Sequence, residues 1–237
     1  MTNLTATRDR IGSDSLNVDR LAGWSAIGFA VLLVIQNALR SAGAPANDAP
    51  AGDVLAYLAS AQGTLAILLA LFVPGLLALF GFISGLLSRA RRMGIETPWS
   101  TFGLIGAILI GALFSASNAI EAALVAMAPQ LASDPTLVSF AWHLHTAIFA
   151  LNFAAIGVAL LGLSRVALAA RLIPGPVAVL AAIGAVILFA GAIPVTAVTS
   201  GSAWFFVAFP GFALWIVWLA ATGVGLVRAD PVSAGGA

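Results

Sequence analysis

The chain has 237 residues, of which 61% are hydrophobic and only 8% are charged, and its mean hydropathy is +1.08. A soluble domain carries roughly a quarter charged residues on its surface, so this composition excludes a soluble protein and predicts a partner lipid bilayer. The absence of cysteine excludes disulfides, thiolate metal sites and cysteine nucleophiles, and a net charge of +1 argues against nucleic acid as a partner.

The N-terminal segment, residues 1–20, is polar, and we expect a short disordered cytoplasmic tail there. The first apolar span follows at about Leu21–Arg40. A cleaved signal peptide is the alternative, because Ala-x-Ala sequences follow at 42–44 and 44–46. The span is longer than the roughly 7–15 residues of a signal-peptide core and its outer end is polar, which favours a retained helix.

A short segment after the first span, Gly52–Ala61, has apolar residues on one side and predicts an amphipathic helix on the membrane surface. Each later apolar span has at least about 20 residues, enough to cross roughly 30 Å of hydrocarbon. Backbone groups in lipid must be satisfied within the segment, so we expect helices. These five spans are about Gln62–Ser88, Ser100–Met127, Leu137–Ser164, Ile173–Pro194 and Trp204–Val227.

The arginines predict the orientation of these spans. If the N-terminus is inside, nine of the ten basic residues are cytoplasmic and only Arg40 is outside. The positive-inside rule therefore favours an all-α, six-helix polytopic membrane protein of the bacterial inner membrane, with both termini in the cytoplasm. The domain prediction is a tail at 1–20, a transmembrane domain at 21–228 and a second tail at 229–237.

Small residues recur every four positions on the third span, and Gly81 and Gly85 repeat the pattern on the second. Such ridges let helices approach closely, either inside the bundle or at a homo-oligomer or partner interface. Pro-Gly pairs at Pro74 and Pro210 predict kinks in the second and sixth spans. The ridge on the third span consists of Gly103, Ala107, Gly111, Ser115 and Ala119.

Polar side chains inside the spans are few, and they are our candidate binding residues. Ionisable groups in a membrane usually face the bundle interior, so Glu121, the only acid within a span, should have a partner. A rise of 1.5 Å per residue puts Glu121 and His143 about 9 Å, and His145 about 12 Å, below the outer interface. The candidates are Arg40, Asn118, Glu121, His143, His145 and Asn152.

The partner of Glu121 is expected to be His143, His145 or Arg40. A Glu121–histidine pair would suit proton handling, because histidine titrates near neutral pH. The alternative is that these groups only hold neighbouring helices together by hydrogen bonds. Of the two histidines we favour His145 as the functional one, because it shares a helix face with Asn152.

No metal site, cofactor or catalytic residue is predicted. His143 and His145 are two residues apart, about 200° around a helix, whereas a helical metal pair needs a spacing of three or four. The spans contain no nucleophile elbow, P-loop or paired-carboxylate motif. An intramembrane enzyme with Glu121 and a histidine as acid and base is therefore the least favoured hypothesis.

Three stretches carry a resemblance to a known group: NDAPAGDVLAYLASAQGTLAILLALF, the basic turn LLSRARRMG, and SRVALAARLIPGPVAVLAAIGAV. In their order and type the chain resembles a family of six-helix bacterial integral membrane proteins, of actinobacterial type, defined by a domain of unknown function. The family tends to show Leu-Pro-x-Trp-Leu-Gly where this chain has Ile173-Pro174-Gly175-Pro176-Val177, without the Trp. The resemblance implies the fold and topology and carries no site residues.

These features favour small-molecule or proton-linked transport, or ligand sensing, through an outward-facing pocket lined by the polar candidates. The alternative is a non-catalytic membrane subunit or scaffold that packs with partner helices through its small-residue ridges.

Overall fold

The computed structural model describes residues 2–41 and 43–230, with side chains from Asn17 onward, and within these ranges the protein is helical and contains no strand. The helices, numbered in chain order, are α1 (Thr2–Ser41), α2 (Ala51–Ser60), α3 (Gln62–Arg92), α4 (Pro98–Leu131), α5 (Pro135–Ala169), α6 (Gly175–Ala192), α7 (Val195–Thr199) and α8 (Ala208–Arg228). A 3-10 turn, Ala203–Val207, leads into α8.

Six of these segments are long and apolar enough to cross a membrane, which confirms the predicted six-helix bundle. They are α1 from Asn17, α3, α4, α5, α6, and the 3-10 turn together with α8. Most helices extend beyond the predicted spans: α4 continues through Pro129 to Leu131, and α5 begins at Pro135. Hydropathy marks the apolar centre of such a helix and misses its polar end turns.

Helix α5 is the centre of the bundle. In its most apolar stretch 61% of the residues are buried, against 39% or less in every other span. It packs along α4 on one side and α6 on the other, while α1 packs against α3 and α8, and α6 against α8. Most side chains on α5 therefore face the interior, although a few, such as Phe140 and Leu151, are exposed.

Close backbone approach explains the small residues of α4. A Cβ added to Gly106 would collide with the backbone of Ala159 on α5, and one added to Gly162 would collide with Gly103. Ala107 is fully buried in the core. The structure thus supports the interpretation of this ridge as internal packing.

The second small-residue pattern is also used inside the bundle. Gly85 of α3 lies against Ala22 of α1, and Gly81 lies near Ser25. Pro74 lies within a continuous α3. Pro210 lies in the first turn of α8, just after the 3-10 turn, where a missing N–H breaks no helical bond, so α8 itself continues through it.

The bundle has two chemically different ends. The Arg40 end holds the C-termini of α1, α4 and α6 and the N-termini of α3, α5 and α8; the Arg89 end holds the opposite termini. At the Arg89 end the fully buried carboxylate of Asp19 pairs with Arg89 at 2.7 Å and also with Arg92. This ion cluster joins α1 to the last turn of α3.

The Asp19 contact also corrects the prediction for the first residues. The backbone from Thr2 to residue 20 continues α1, whereas we expected a disordered tail, and Asp19 is a buried part of the bundle. The prediction for the C-terminal tail, 229–237, falls largely outside the described residues, apart from Ala229 and Asp230.

Candidate functional site

An ion pair between Arg40 and Glu121 lies at the Arg40 end of the bundle. The two guanidinium nitrogens Nη1 and Nη2 of Arg40, in the last turn of α1, donate to the two oxygens of Glu121 on α4 at 2.7 and 2.8 Å. The Glu121 side chain is fully buried, whereas a quarter of the Arg40 side chain is exposed. This parallel arrangement is a strong, orienting form of hydrogen bonding.

The structure therefore selects Arg40 among the three expected partners of Glu121. In the described part of the chain, neither histidine forms a hydrogen bond or ion pair with this carboxylate. Glu121 lies ten residues before the end of α4 and His145 ten residues after the start of α5, so these two share a level, whereas we expected Glu121 to share one with His143 and His145 to lie about 3 Å deeper. Both are about 15 Å from their helix ends, because the helices are longer than predicted.

His145 is fixed from two sides. Its Nδ1 lies 3.0 Å from the hydroxyl oxygen and 3.1 Å from the carbonyl oxygen of Ser117 on α4, and its ring stacks on Trp142 with a centroid separation of 5.3 Å. A proton on Nδ1 would be donated to that carbonyl oxygen. The residue as a whole is 7% exposed.

The other candidates are placed differently. His143 is half-buried and its Nδ1 lies 2.7 Å from the carbonyl oxygen of Ser139, one turn earlier on its own helix. The amide of Asn118 donates to the carbonyl of Phe114, also one turn earlier. Asn152 is buried further inside the bundle. Of the six candidates, Arg40, Glu121 and His145 share the Arg40-end site, and His143 lies outside it.

A cavity of about 410 Å³ opens beside Arg40 and His145, and we call it the mouth cavity. It is bounded by the end of α1, the loop that follows, α5, and the chain from Gly201 into α8. Exposed residues such as Ser41 and Gly201 form its rim. Its lining residues are Asn37, Arg40, Ser41, Ala44, Pro45, Ala46, Asn47, Trp142, His145, Thr146, Phe149, Gly201, Ser202, Phe205, Phe206 and Phe209.

The wall of the mouth cavity divides into two kinds of surface. Phe205 contacts Phe149, Phe206 and Phe209 at ring-centroid separations of 5.2 to 6.2 Å, which forms one aromatic cluster. Polar groups from α1 and α5 face the remainder of the cavity, including Arg40. The cavity thus combines a large apolar surface with a few convergent polar groups, as small-molecule sites do.

The loop between α1 and α2 lines part of the mouth cavity and is held by hydrogen bonds. The indole N–H of Trp142 donates to the carbonyl of Ala46 at 3.0 Å, and the Asn47 amide donates to the carbonyl of Val198 at 3.4 Å. Asp48 lies directly against Gly201, whose φ of +79° favours glycine. The loop therefore connects α5 to the segment after α7.

Helix α2, predicted over Gly52–Ala61, is confirmed at Ala51–Ser60 and packs beside this site. Tyr57 is buried and its ring meets Trp142 edge-on, with centroids 6.5 Å apart. Burial raises the pKa of the Tyr57 phenol above its ordinary value of 10.0, and the nearby Glu121 carboxylate raises it further. Tyr57 thus lies within the electrostatic range of the ion pair.

Sequence analysis did not identify the aromatic and hydroxyl groups of the site. Ser117, Trp142 and Phe205 are common residue types in membrane helices and carry no spacing signal of their own. Ser117 is one residue before the predicted candidate Asn118, a rotation of about 100° around α4 that hydropathy does not define.

Within the described ranges, no group of three or more His, Cys, Asp or Glu residues is arranged to hold a metal ion. No known protein family, curated protein or solved structure matches this chain. The function therefore has to be argued from the site alone.

Proposed function

We propose that this protein belongs to a bacterial inner membrane, with the Arg40 end facing outward, and that its mouth cavity binds small amphipathic molecules for transport or sensing. The observation that carries the proposal is the cavity of about 410 Å³, which has an aromatic cluster on one side and Arg40 on the other. Its size falls within the roughly 300–1,000 Å³ typical of ligand sites.

Arg40 supplies the polar contact of the proposed ligand. A guanidinium has five N–H groups, and the bonds to Glu121 use two of them. The remaining donors are available to an acceptor such as a carbonyl or carboxylate in the mouth cavity. Glu121 balances the charge of Arg40 and fixes the guanidinium plane, so its role is to position Arg40.

The aromatic cluster supplies the apolar contact. Phe149, Phe205 and Phe209 present ring surfaces to the cavity and would cover the hydrophobic part of the ligand. The ring of His145 also lines the cavity. A proton-linked mechanism would use this imidazole, because histidine is the side chain that titrates nearest to neutral pH.

The distribution of arginine supports the proposed orientation. Among the described side chains, the Arg89 end carries seven arginines and the Arg40 end carries only Arg40. Cytoplasmic segments carry the excess of basic residues, and this rule supports the proposal that the Arg89 end is cytoplasmic.

The alternative, a membrane subunit or scaffold, needs a surface for a partner helix. Of the small residues that suggested such a surface, Gly85, Gly103 and Gly111 contact neighbouring helices of the same bundle. No specific observation therefore favours the scaffold over a ligand-binding protein.

Photolabelling with 4-benzoylbenzoate tests the proposed site, because this probe has an aromatic body and a carboxylate. Illumination of the protein in lipid nanodiscs should label the peptides containing Phe149 and Phe205. An Arg40→Gln variant should lose most of this labelling, whereas Arg165→Gln, at the opposite end of the bundle, should not. Equal labelling of all three proteins would contradict the proposal.

A further inference from the structure

Asn152 is a buried amide without a complete set of partners. It lies on α5, two turns further into the bundle than His145, which is about 10 Å at 1.5 Å per residue. It is 3% exposed, and no donor within the described residues reaches its Oδ1. Buried polar groups are almost always hydrogen-bonded, to the protein or to ordered water, so this oxygen needs a partner.

A small cavity of about 30 Å³ adjoins Asn152. Gln36 of α1 is the other polar amide in its wall, and apolar residues such as Phe72, Ile110 and Trp215 form most of the remainder. A volume of about 10–15 Å³ is enough for one water molecule. The cavity therefore has room for one or two water molecules and for no larger solute.

A second small cavity, of about 20 Å³, continues towards the ion pair. Gln36 and Phe114 line both small cavities, and Arg40, Asn37 and Phe149 line both the second small cavity and the mouth cavity. The three spaces therefore adjoin one another in series.

The polar atoms along this series suit water. The side-chain amide of Asn118 donates to the Phe114 carbonyl, which leaves its side-chain oxygen to accept a hydrogen bond from water. Arg40 has further N–H donors besides the two that bind Glu121. The walls of the inner cavity contain amides and apolar side chains but no charge, which disfavours an ion. Water is the ligand that fits both the volume and the mixed donors and acceptors.

We propose that ordered water molecules occupy both small cavities and connect Asn152, through Gln36, to the Arg40–Glu121 ion pair. The polar interior is then a hydrated track that begins at the mouth cavity and ends at Asn152. Trp215 borders the inner cavity, and Trp218 and Phe82 pack behind it with almost no exposure. The track admits water and stops inside the bundle.

Radiolytic hydroxyl-radical labelling tests this proposal, because the radicals oxidise buried side chains that lie beside bound water. Trp215 and Trp218 are a matched pair: each is 1% exposed, and their rings stack with centroids 5.1 Å apart. Trp215 lines the inner cavity and Trp218 lines none of the three. The Trp218 Nε1 also has no hydrogen-bond partner among the described residues, but it adjoins neither of the two water-sized cavities. In the wild-type protein in nanodiscs, Trp215 should be oxidised several-fold faster than Trp218.

An Asn152→Leu variant should remove the difference between the two tryptophans, since leucine fills the space and offers no hydrogen bond. Thr222→Val, which changes a buried hydroxyl outside the track, should leave it unchanged. Equal oxidation of Trp215 and Trp218 in the wild type, or an undiminished difference in Asn152→Leu, would overturn the proposal. The two tryptophans are compared within one protein and neither lines the mouth cavity, so the result does not depend on ligand binding there.

Discussion

At the scale of single residues, the Arg40–Glu121 pair organises the site. An isolated buried charge is costly, and breaking a buried ion pair by removing one partner costs about 3–5 kcal/mol. Because Arg40 is one-quarter exposed, Glu121→Gln should destabilise the protein by about 3 kcal/mol, at the lower end of that range. Denaturant titration in detergent measures this loss.

The double variant Arg40→Gln with Glu121→Gln is the matched control, because it removes both charges. It should recover most of the stability lost in Glu121→Gln alone. A double variant less stable than either single variant would show that the residues do not act as a pair.

The pKa of Tyr57, which lies on α2 outside the membrane-spanning helices, also depends on the charge of Glu121. Tyr57 is the only tyrosine of the chain, so ultraviolet titration of the phenol follows it alone. Its midpoint should lie above pH 10, because burial and the Glu121 carboxylate both raise the pKa of this group. Glu121→Gln should lower the midpoint, and an unchanged midpoint would place the carboxylate out of range.

Because the pKa of Tyr57 is raised in the folded protein, ionisation of its phenol should lower the stability of the fold. The folded protein holds the phenol proton more tightly than the unfolded chain does, so the stabilisation is complete below pH 10 and is lost as the pH rises through the folded-state pKa. Thermal unfolding midpoints should therefore fall above pH 10 more steeply than in a Tyr57→Phe variant.

Part of the site could be predicted from the sequence. The cost of burying charge in a membrane identified Glu121 and its possible partner Arg40, and helical rise put His145 within one helical turn of the level of Glu121. The direction in which each side chain points around its helix was less predictable. His143 bonds to its own helix and lies outside the site, because its position two residues from His145 points it in another direction.

At the scale of the helices, close packing of α4 on α5 depends on glycine. Gly106→Ala would force a methyl group into the backbone of Ala159, and overpacking of this kind costs about 1–3 kcal/mol. Gly28→Ala is the control, because no atom lies within 4 Å of the added group. It should be neutral or stabilise the protein by up to about 1 kcal/mol, through its better helix propensity.

Unfolding midpoints in detergent compare the two glycine variants. Equal midpoints for Gly106→Ala and Gly28→Ala would contradict the tight α4–α5 contact.

The number and type of helices were predictable because hydropathy alone decides which segments enter lipid. Helix ends and interruptions were less predictable. The continuation of α1 back to Thr2 and the start of α8 just before Pro210 depend on polar end turns and on the 3-10 turn, which hydropathy does not record.

At the scale of the whole molecule, the two ends of the bundle carry different features. The Asp19 cluster joins α1 and α3 at the Arg89 end, while the Arg40 end carries the mouth cavity. If the Arg89 end is cytoplasmic, the cavity takes its ligand from outside the cell. The orientation of the bundle is therefore the premise of the proposed function.

Cysteine accessibility tests this orientation directly, and the absence of native cysteine removes any background. Ala44→Cys, on the rim of the mouth cavity, should react with a membrane-impermeant maleimide in intact cells. Glu96→Cys, exposed in the turn after α3, should react only after the cells are permeabilised. Labelling of Glu96→Cys, and not of Ala44→Cys, in intact cells would contradict an outward-facing cavity.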